Sequence, residues 1–221
     1  GGYVAAFKAA DQGLDVTLID PEVNPGSVCL YRGCIPSKAL LHVAKLLNES
    51  KEASHWGVHF AEPEINLDQL RAYKDDVVAK MTGGLGQLVK ARKLKHLRGY
   101  ARITGPNSIE VALVEGGTQS LQFENAILST GSRPAVPGIF ALDDERIMDS
   151  TSALALRDVP ASLLVVGGGT AGTIAAIQSG RAGAKTLILE RNSQLGGTTT
   201  TGGVAFPGLF DAWGKQIIKG I

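Results

Sequence analysis

The sequence is poor in several things at once. Of its 221 residues only 5% are aromatic, two are cysteine and nine are proline. Two cysteines exclude a disulfide-stapled secreted scaffold, so any special role for them is chemical. Excess charge is missing too: 22 Lys and Arg against 21 Asp and Glu leave a net charge of +1. That balance predicts no nucleic-acid surface. No apolar run reaches the ~18 residues that a membrane-spanning helix needs. What is present is a 44% hydrophobic share, too high for a disordered chain. There are also 28 glycines, where average usage gives roughly 15. Without a Gly-X-Y period, this surplus excludes collagen and predicts several tight turns. The length permits one large domain or two small ones.

The chain opens Gly1-Gly2-Tyr3 and runs directly into a helix, in which Ala5, Ala6, Ala9 and Ala10 favour the conformation and Gly13 is placed to end it. Asp15 to Asp20 follows as a short buried strand closing on an acid. Helix then strand is the second half of a βαβ unit, so the chain is expected to be a fragment lacking the first strand, with any targeting segment outside it. A loop from Pro21 to Gly33 leads into a helix from about Cys34 to His55, with Pro36 in its first turn. A second helical stretch is expected from about Leu67 to Leu94, capped by Asn66 or Asp68 and interrupted near Gly83-Gly84. A β-meander follows around residues 95 to 123, with strands at His96 to Ile103, Ser108 to Val114 and Ser120 to Phe123, and a further strand at Ala126 to Leu128. Pro134, Pro137 and Gly138 mark a crossing segment.

A fresh unit starts with the apolar strand Leu163 to Val166. A glycine turn leads to a helix ending near Ala182, and the strand Lys185 to Glu190 comes next. The Gly/Thr loop Gly196 to Gly203 precedes a short amphipathic helix from about Leu209. The turn reads Gly167-x-Gly169-x-x-Gly172, with Glu190 at the end of the next strand. Gly167 permits the tight turn, Gly169 lets the backbone approach a pyrophosphate, and Gly172 lets helix and strand pack closely. The helix N-terminus then faces the diphosphate, and Glu190 accepts hydrogen bonds from ribose hydroxyls. The bland alternative is an ordinary glycine turn, against which the strand, helix and acid stand in the right context. At the N-terminus, Gly2 stands where the last glycine of such a motif falls, and Asp20 takes the ribose position. The fold class expected is α/β, with Rossmann-like dinucleotide-binding domains, central parallel sheets and the β-meander. The expected domains are 1–150 and 151–221.

Pro25-Gly-Ser-Val-Cys29-Leu-Tyr-Arg-Gly-Cys34-Ile-Pro-Ser-Lys38 sets two cysteines five apart at a helix start. Inside one regular helix a rise of ~7.5 Å would hold them too far apart to bond. Gly33 permits a turn that folds Cys29 back onto Cys34. A thiolate at a helix N-terminus, with Lys38 one turn on, is stabilised. That is the setting of a redox-active pair; two buried free cysteines are the bland alternative. Zinc is disfavoured, because a second pair of Cys or His ligands is missing nearby, and no metal site is expected.

These residues resemble the flavin-dependent pyridine nucleotide–disulfide oxidoreductases, within them the dihydrolipoamide dehydrogenase group. The resemblance covers about residues 1 to 169. It rests on Cys29 to Cys34 with Ile-Pro-Ser-Lys38-Ala-Leu-Leu, on Ser129-Thr130-Gly131-Ser132-Arg133-Pro134, and on Asp149-Ser150-Thr151. It implies an FAD site in which Asp20 binds the adenosine ribose, Gly2 belongs to the first fingerprint, and Gly26, Ser27, Val28 and Cys29 line the pyrophosphate and flavin. Cys29 would be the interchange thiol and Cys34 the thiolate stacked on the flavin, with Lys38 near the ring. Ala101 would contact the adenine through its backbone, and Thr130-Gly131 would approach FAD. Gly167, Gly169, Gly172 and Glu190 would hold NAD. Electrons would pass from dihydrolipoamide, or a related dithiol, through the cysteine pair and FAD to NAD. The resemblance also implies a homodimer, and a cytoplasmic location is expected.

The pattern also departs from that family. Where the family has a glutamate two residues after its last fingerprint glycine, this chain has Ile174, leaving Lys38 without that partner. The chain ends at Ile221, ahead of the family's dimerisation domain and its His–Glu acid/base pair, so little or no turnover is expected from this chain alone. His42, His55, His59 and His96 lie in no such motif. Residues 170–221, with Glu190-Arg-Asn-Ser-Gln-Leu-Gly196-Gly197, are similar to FAD-dependent oxidoreductases of the succinate dehydrogenase/fumarate reductase-like type, which implies FAD at the second site. A joined, hybrid chain is therefore expected, with an FAD enzyme using the second site, or an inactive nucleotide-binding fragment, as alternatives.

Overall fold

The computed structural model of the chain describes residues 1–204, and beyond them the backbone of 211–212 and 215–216. It divides into two compact units, Gly1–Arg157 and Asp158–Ile221. Among the described residues no helix is long and apolar enough to cross a membrane.

In the first unit, α1 (Gly2–Asp11) buries Ala6 and Phe7. The turn after it passes through Gly13 at φ 84°, a left-handed conformation that glycine adopts without penalty. The strand β1 (Thr17–Ile19) then pairs in parallel with β2 (Lys95–Leu97), Thr17 facing Lys95. Between these strands lie α2 (Val28–Arg32), α3 (Cys34–Glu52), a 3₁₀ turn at Ala53–Trp56, and α4 (Leu67–Ala91). Asn66 caps α4 by accepting from the Gln69 amide. At the other end, Arg92 lies over the Phe7 ring at 4.9 Å and pairs with Asp11 at 2.8 Å, tying α4 back to α1.

The expected interruption of α4 near Gly83-Gly84 is absent, and the helix is continuous for 25 residues. Each interior glycine costs about 1 kcal/mol relative to alanine. Packing offsets this: Thr82, Gly86 and Val89 are buried along one face. At Gly86 a Cβ would overlap the Asn24 side chain, so the missing side chain admits the neighbouring loop.

The meander comprises β3 (Gly99–Gly105), β4 (Ser108–Leu113) and β5 (Thr118–Gln122), paired antiparallel in that order. Its fully buried Val111 (0% exposed) contributes on the order of 1.5–3 kcal/mol. The single run expected from His96 to Ile103 is two strands with different partners, because Gly99 fits so closely against Ala112 that the chain changes sheets there. The strand expected at Ala126–Leu128 does not form. Ile127 and Leu128 are 72% and 68% exposed with no ladder partner, and strand propensity without a partner makes no sheet. The unit ends with α5 (Ser150–Ala153), closed by a capping box between Asp149 and Ser152.

The second unit pairs β6 (Ser162–Val166) in parallel with β7 (Lys185–Leu189) through α6 (Thr170–Arg181), Leu164 facing Leu187. Ala176 and Ile177 of α6 line a hollow with Thr186 and Ile188 of β7, on one face of the strand pair. Leu164, Val166, Leu187 and Leu189, on the alternate positions, are exposed. A 3₁₀ turn at Gly197–Thr199 follows. The helix expected from about Leu209 is not what the described residues show: β8 (Asp211–Ala212) pairs antiparallel with β9 (Lys215–Gln216), a local ladder that a helix cannot contain. The rest of that stretch lies outside the described residues.

At Gly172 a Cβ would overlap the carbonyl oxygen of Gly167, whereas at Gly169 nothing lies within 4 Å and φ is −64°. Gly172→Ala is therefore expected to destabilise the second unit by about 3 kcal/mol or more, read as faster amide exchange in β6 and β7. Gly169→Ala is expected to leave that exchange unchanged.

Candidate redox and nucleotide sites

The cysteine loop is built by two consecutive helix starts. Ser27 caps α2 by accepting from the Leu30 amide at 3.3 Å. Gly33, at φ −147° and ψ −107°, closes α2 and opens α3, because those angles lie outside the helical region. A Cβ at Gly33 would sit 3.1 Å from the Val28 carbonyl oxygen and 3.4 Å from the Cys29 Cα. The break brings the two cysteine Cα atoms to 4.7 Å, and Cys29 and Cys34 form a disulfide. Cys29 thus stands in a short helix of its own, not in an extended loop, and Cys34 is the first residue of α3. Both are exposed, as is Lys38 one turn further on, so Lys38 needs no buried partner.

Several residues that carry no redox chemistry hold this loop. The Tyr31 hydroxyl donates to the Asn24 carbonyl at 2.8 Å, and its ring fills the space where a Cβ on Gly26 would fall. Burial pushes the Tyr31 phenol above its ordinary pKa of 10.0, opposed by a hydrogen bond with Thr82 of α4. Arg32 forms an ion pair with Glu22. Tyr31 lies within the cysteine motif and Thr82 beside the Gly83-Gly84 pair, but nothing in the sequence joins the two.

The first fingerprint's remnant lies beside the loop's neighbours. Gly1 caps α1 without a side-chain hydrogen bond, and a Cβ on Gly2 would come 3.2 Å from that of Ser129. Gly131, at φ 73°, would place a Cβ 3.7 Å from Val28 Cγ2. Gly2, the exposed Thr130-Gly131 turn and Val28 are thereby linked through Ser129 and the chain next to it. Asp20 follows β1; its amide donates to the Leu97 carbonyl at 3.1 Å, and its carboxylate accepts from the Glu22 amide at 2.9 Å. Ala101 stands instead on β3, exposed and in register with Val111.

In the second unit, Gly167 turns at φ 99° and the Gly168 amide donates to Glu190 Oε2 at 2.5 Å. Glu190 Oε1 accepts from the Asn192 amide at 2.8 Å. These contacts, Asn192 first and Gly168 next, hold the Glu190 carboxyl below its ordinary pKa of 4.5. The Gly196 loop closes on the same turn. The Gly196 amide donates to the Gly168 carbonyl at 2.8 Å, and Thr170 Oγ1 donates to the Gly196 carbonyl at 2.8 Å. The Thr170 and Thr199 hydroxyls lie 2.5 Å apart. The sequence pointed to each loop separately; their apposition, with Gly168 as the amide that Glu190 holds, is tertiary.

Strand–glycine turn–helix geometry in the second unit and an exposed disulfide at a helix junction in the first define a nucleotide-linked, redox-capable α/β protein. The pyridine nucleotide-disulphide oxidoreductase family model matches residues 1–202, and the chain belongs to that family. The match runs through Gly172, so residues 170–202 fall within it. The chain is similar to dihydrolipoyl dehydrogenase of Vibrio cholerae, 45% identical over 194 residues that make up 88% of this chain and 41% of that protein. Dihydrolipoyl dehydrogenase of Haemophilus influenzae is 47% identical over 77% of this chain and 36% of its own length. Leghemoglobin reductase of Glycine max is 37% identical over 88% of this chain and 38% of its own length. The chain thus spans about two fifths of the length of these relatives. The crystal structure of LpdA from Mycobacterium tuberculosis superposes with a TM-score of 0.72 at 22% identity, covering 87% of this chain and 42% of that one, which shows the shared fold.

The Glu190 contacts set a pH dependence. With its pKa depressed in the folded chain, the stabilisation is complete above the ordinary glutamate value and fades as pH falls through the lower one. The Gly168 and Asn192 amide resonances are expected to titrate together with a midpoint below 4.5, and Glu190→Gln is expected to abolish that titration. A midpoint at or above the ordinary value would contradict the assignment.

Proposed function

We propose that this chain is the FAD-binding and redox-disulfide portion of a dihydrolipoamide dehydrogenase-like enzyme, taking electrons from a dithiol. The observation that carries it is the exposed Cys29–Cys34 disulfide at the α2–α3 junction, beside Val28 and the Gly131 turn. A dithiol substrate's thiolate attacks Cys29 Sγ, the Cys29–Cys34 bond breaks, and Cys34 leaves as thiolate. The substrate's second sulfur then displaces Cys29 and closes the substrate disulfide. Cys34 opens the 19-residue α3, whose N-terminal dipole favours its thiolate. Lys38, one turn along α3, adds positive charge there.

The residues fit FAD. Gly2 lets Ser129 pack against the α1 start, and Gly131 turns beside Val28; Ser27 and Gly26 shape the loop between, and Asp20 presents a carboxylate for ribose hydroxyls. Ala101 offers backbone contact for an adenine. When bound there, FAD would supply the two-electron acceptor that links the dithiol pair to NAD. The second site, Gly167, Gly169, Gly172 and Glu190, is assigned to NAD, with Gly169 open for a pyrophosphate. One observation favours FAD there instead: the Gly196 loop is bonded directly to the glycine turn. Residues 1–150 and 151–221 are taken as the two cofactor domains, and the enzyme as a cytoplasmic homodimer.

Chain reconstituted with FAD is expected to stay yellow through desalting, and two-electron reduction by a dithiol is expected to free two alkylatable thiols. Cys29→Ser and Cys34→Ser are each expected to abolish that reduction while flavin is retained. A colourless protein, or cysteines that never re-pair on oxidation, would defeat the assignment. Gly172→Val separates the two readings of the second site: loss of FAD would place it there.

A further inference from the structure

We propose that Arg71 and Lys74 of α4 form a two-cation clamp that fixes Leu154–Arg157, the last segment of the first unit, where the chain passes to the second. The proposal is independent of the cofactor assignment. Three residues apart, the two side chains share one face of α4. Arg71 Nη1 donates to the carbonyls of Leu156 at 2.7 Å and Arg157 at 3.2 Å, and Lys74 Nζ donates to that of Leu154 at 2.9 Å. Asp68 pairs with Arg71 and orients it, and Asp75 pairs with Lys74 at 3.2 Å.

Two features separate this from a solvated charged face. Lys74 is only 8% exposed, and a buried ammonium persists only where its donors are used. Leu156 is left-handed at φ 49° without being glycine, a conformation that holds only when its surroundings over-determine it. The segment is then fixed from both ends: the Asp149–Ser152 capping box closes the amide end of α5, and the clamp takes carbonyls at and beyond the other. The same helix carries Thr82 and Gly86, which brace Tyr31 and Asn24 of the cysteine loop. One helix therefore sets both the redox loop and the point from which the second unit departs.

The Arg157 carbonyl that Arg71 holds is the scissile carbonyl of a tryptic bond. In the full chain, Arg71→Met and Lys74→Met are each expected to raise the cleavage rate after Arg157 about tenfold, with cleavage after Lys45 and Arg102 unchanged; Lys74→Arg is expected to retain protection. Unchanged cleavage after Arg157, or an equal rise at all three bonds, overturns the proposal. Hydrogen exchange gives a second readout: Arg71→Met and Lys74→Met are each expected to speed exchange at residues 154–157 relative to the unsubstituted chain, and unchanged exchange there overturns the proposal.

Discussion

The first unit depends on a backbone approach at Gly33. A Cβ at Gly33 would lie 3.1 Å from the Val28 carbonyl oxygen, tighter than ordinary packing, and glycine makes this approach without displacing that backbone. From that approach follow the end of α2, the start of α3, and the 4.7 Å separation that lets Cys29 and Cys34 bond. A continuous helix would hold them ~7.5 Å apart, with sulfurs pointing to different faces. The chemistry of the pair is thus a consequence of one broken helical turn.

That broken turn would be a weak element by itself, since a helix of five residues is not stable alone. Its support comes from α4. Tyr31 reaches Asn24, Thr82 reaches Tyr31, and Gly86 admits Asn24. One of the glycines that lower the intrinsic helix stability of α4, Gly86, is what allows the loop to come so close. Local preference and packing conflict there, and packing wins because α4 is long, well capped and buried along one face.

The second unit repeats the logic with different parts. Gly172 fits because its missing side chain leaves room for the Gly167 carbonyl, and Glu190 occupies the Gly168 amide with a carboxylate that two backbone donors keep ionised. At Gly169 the Gly196–Gly197 loop lies against the backbone, but a Cβ would meet nothing within 4 Å. Its freedom makes sense toward something outside the chain, which is how a glycine turn serves a phosphate. The Gly196 loop adds threonine hydroxyls to the same turn.

The sequence by itself determined helices α1, α3, α4 and α6, the glycine turn of the second unit, and the cysteine pair with the helix it opens, because these rest on local chemistry: alanine runs, an apolar strand before a fingerprint, a proline in a first turn. It misplaced what depends on partners. Gly83-Gly84 signals a break only if no neighbouring loop packs nearby, and Ala126–Leu128 signals a strand only if another strand adjoins it. The run from His96 to Ile103 divides because Gly99 meets Ala112, a residue far along the chain. Tertiary structure alone decided the brace from Thr82 to Tyr31, the apposition of Gly168 with Gly196, and the hold of Arg71 and Lys74 on the carbonyls of 154–157. The first joins two side-chain hydroxyls that no motif pairs, and the other two join groups distant in sequence through backbone carbonyls or amides that every residue carries, so no residue type announces them.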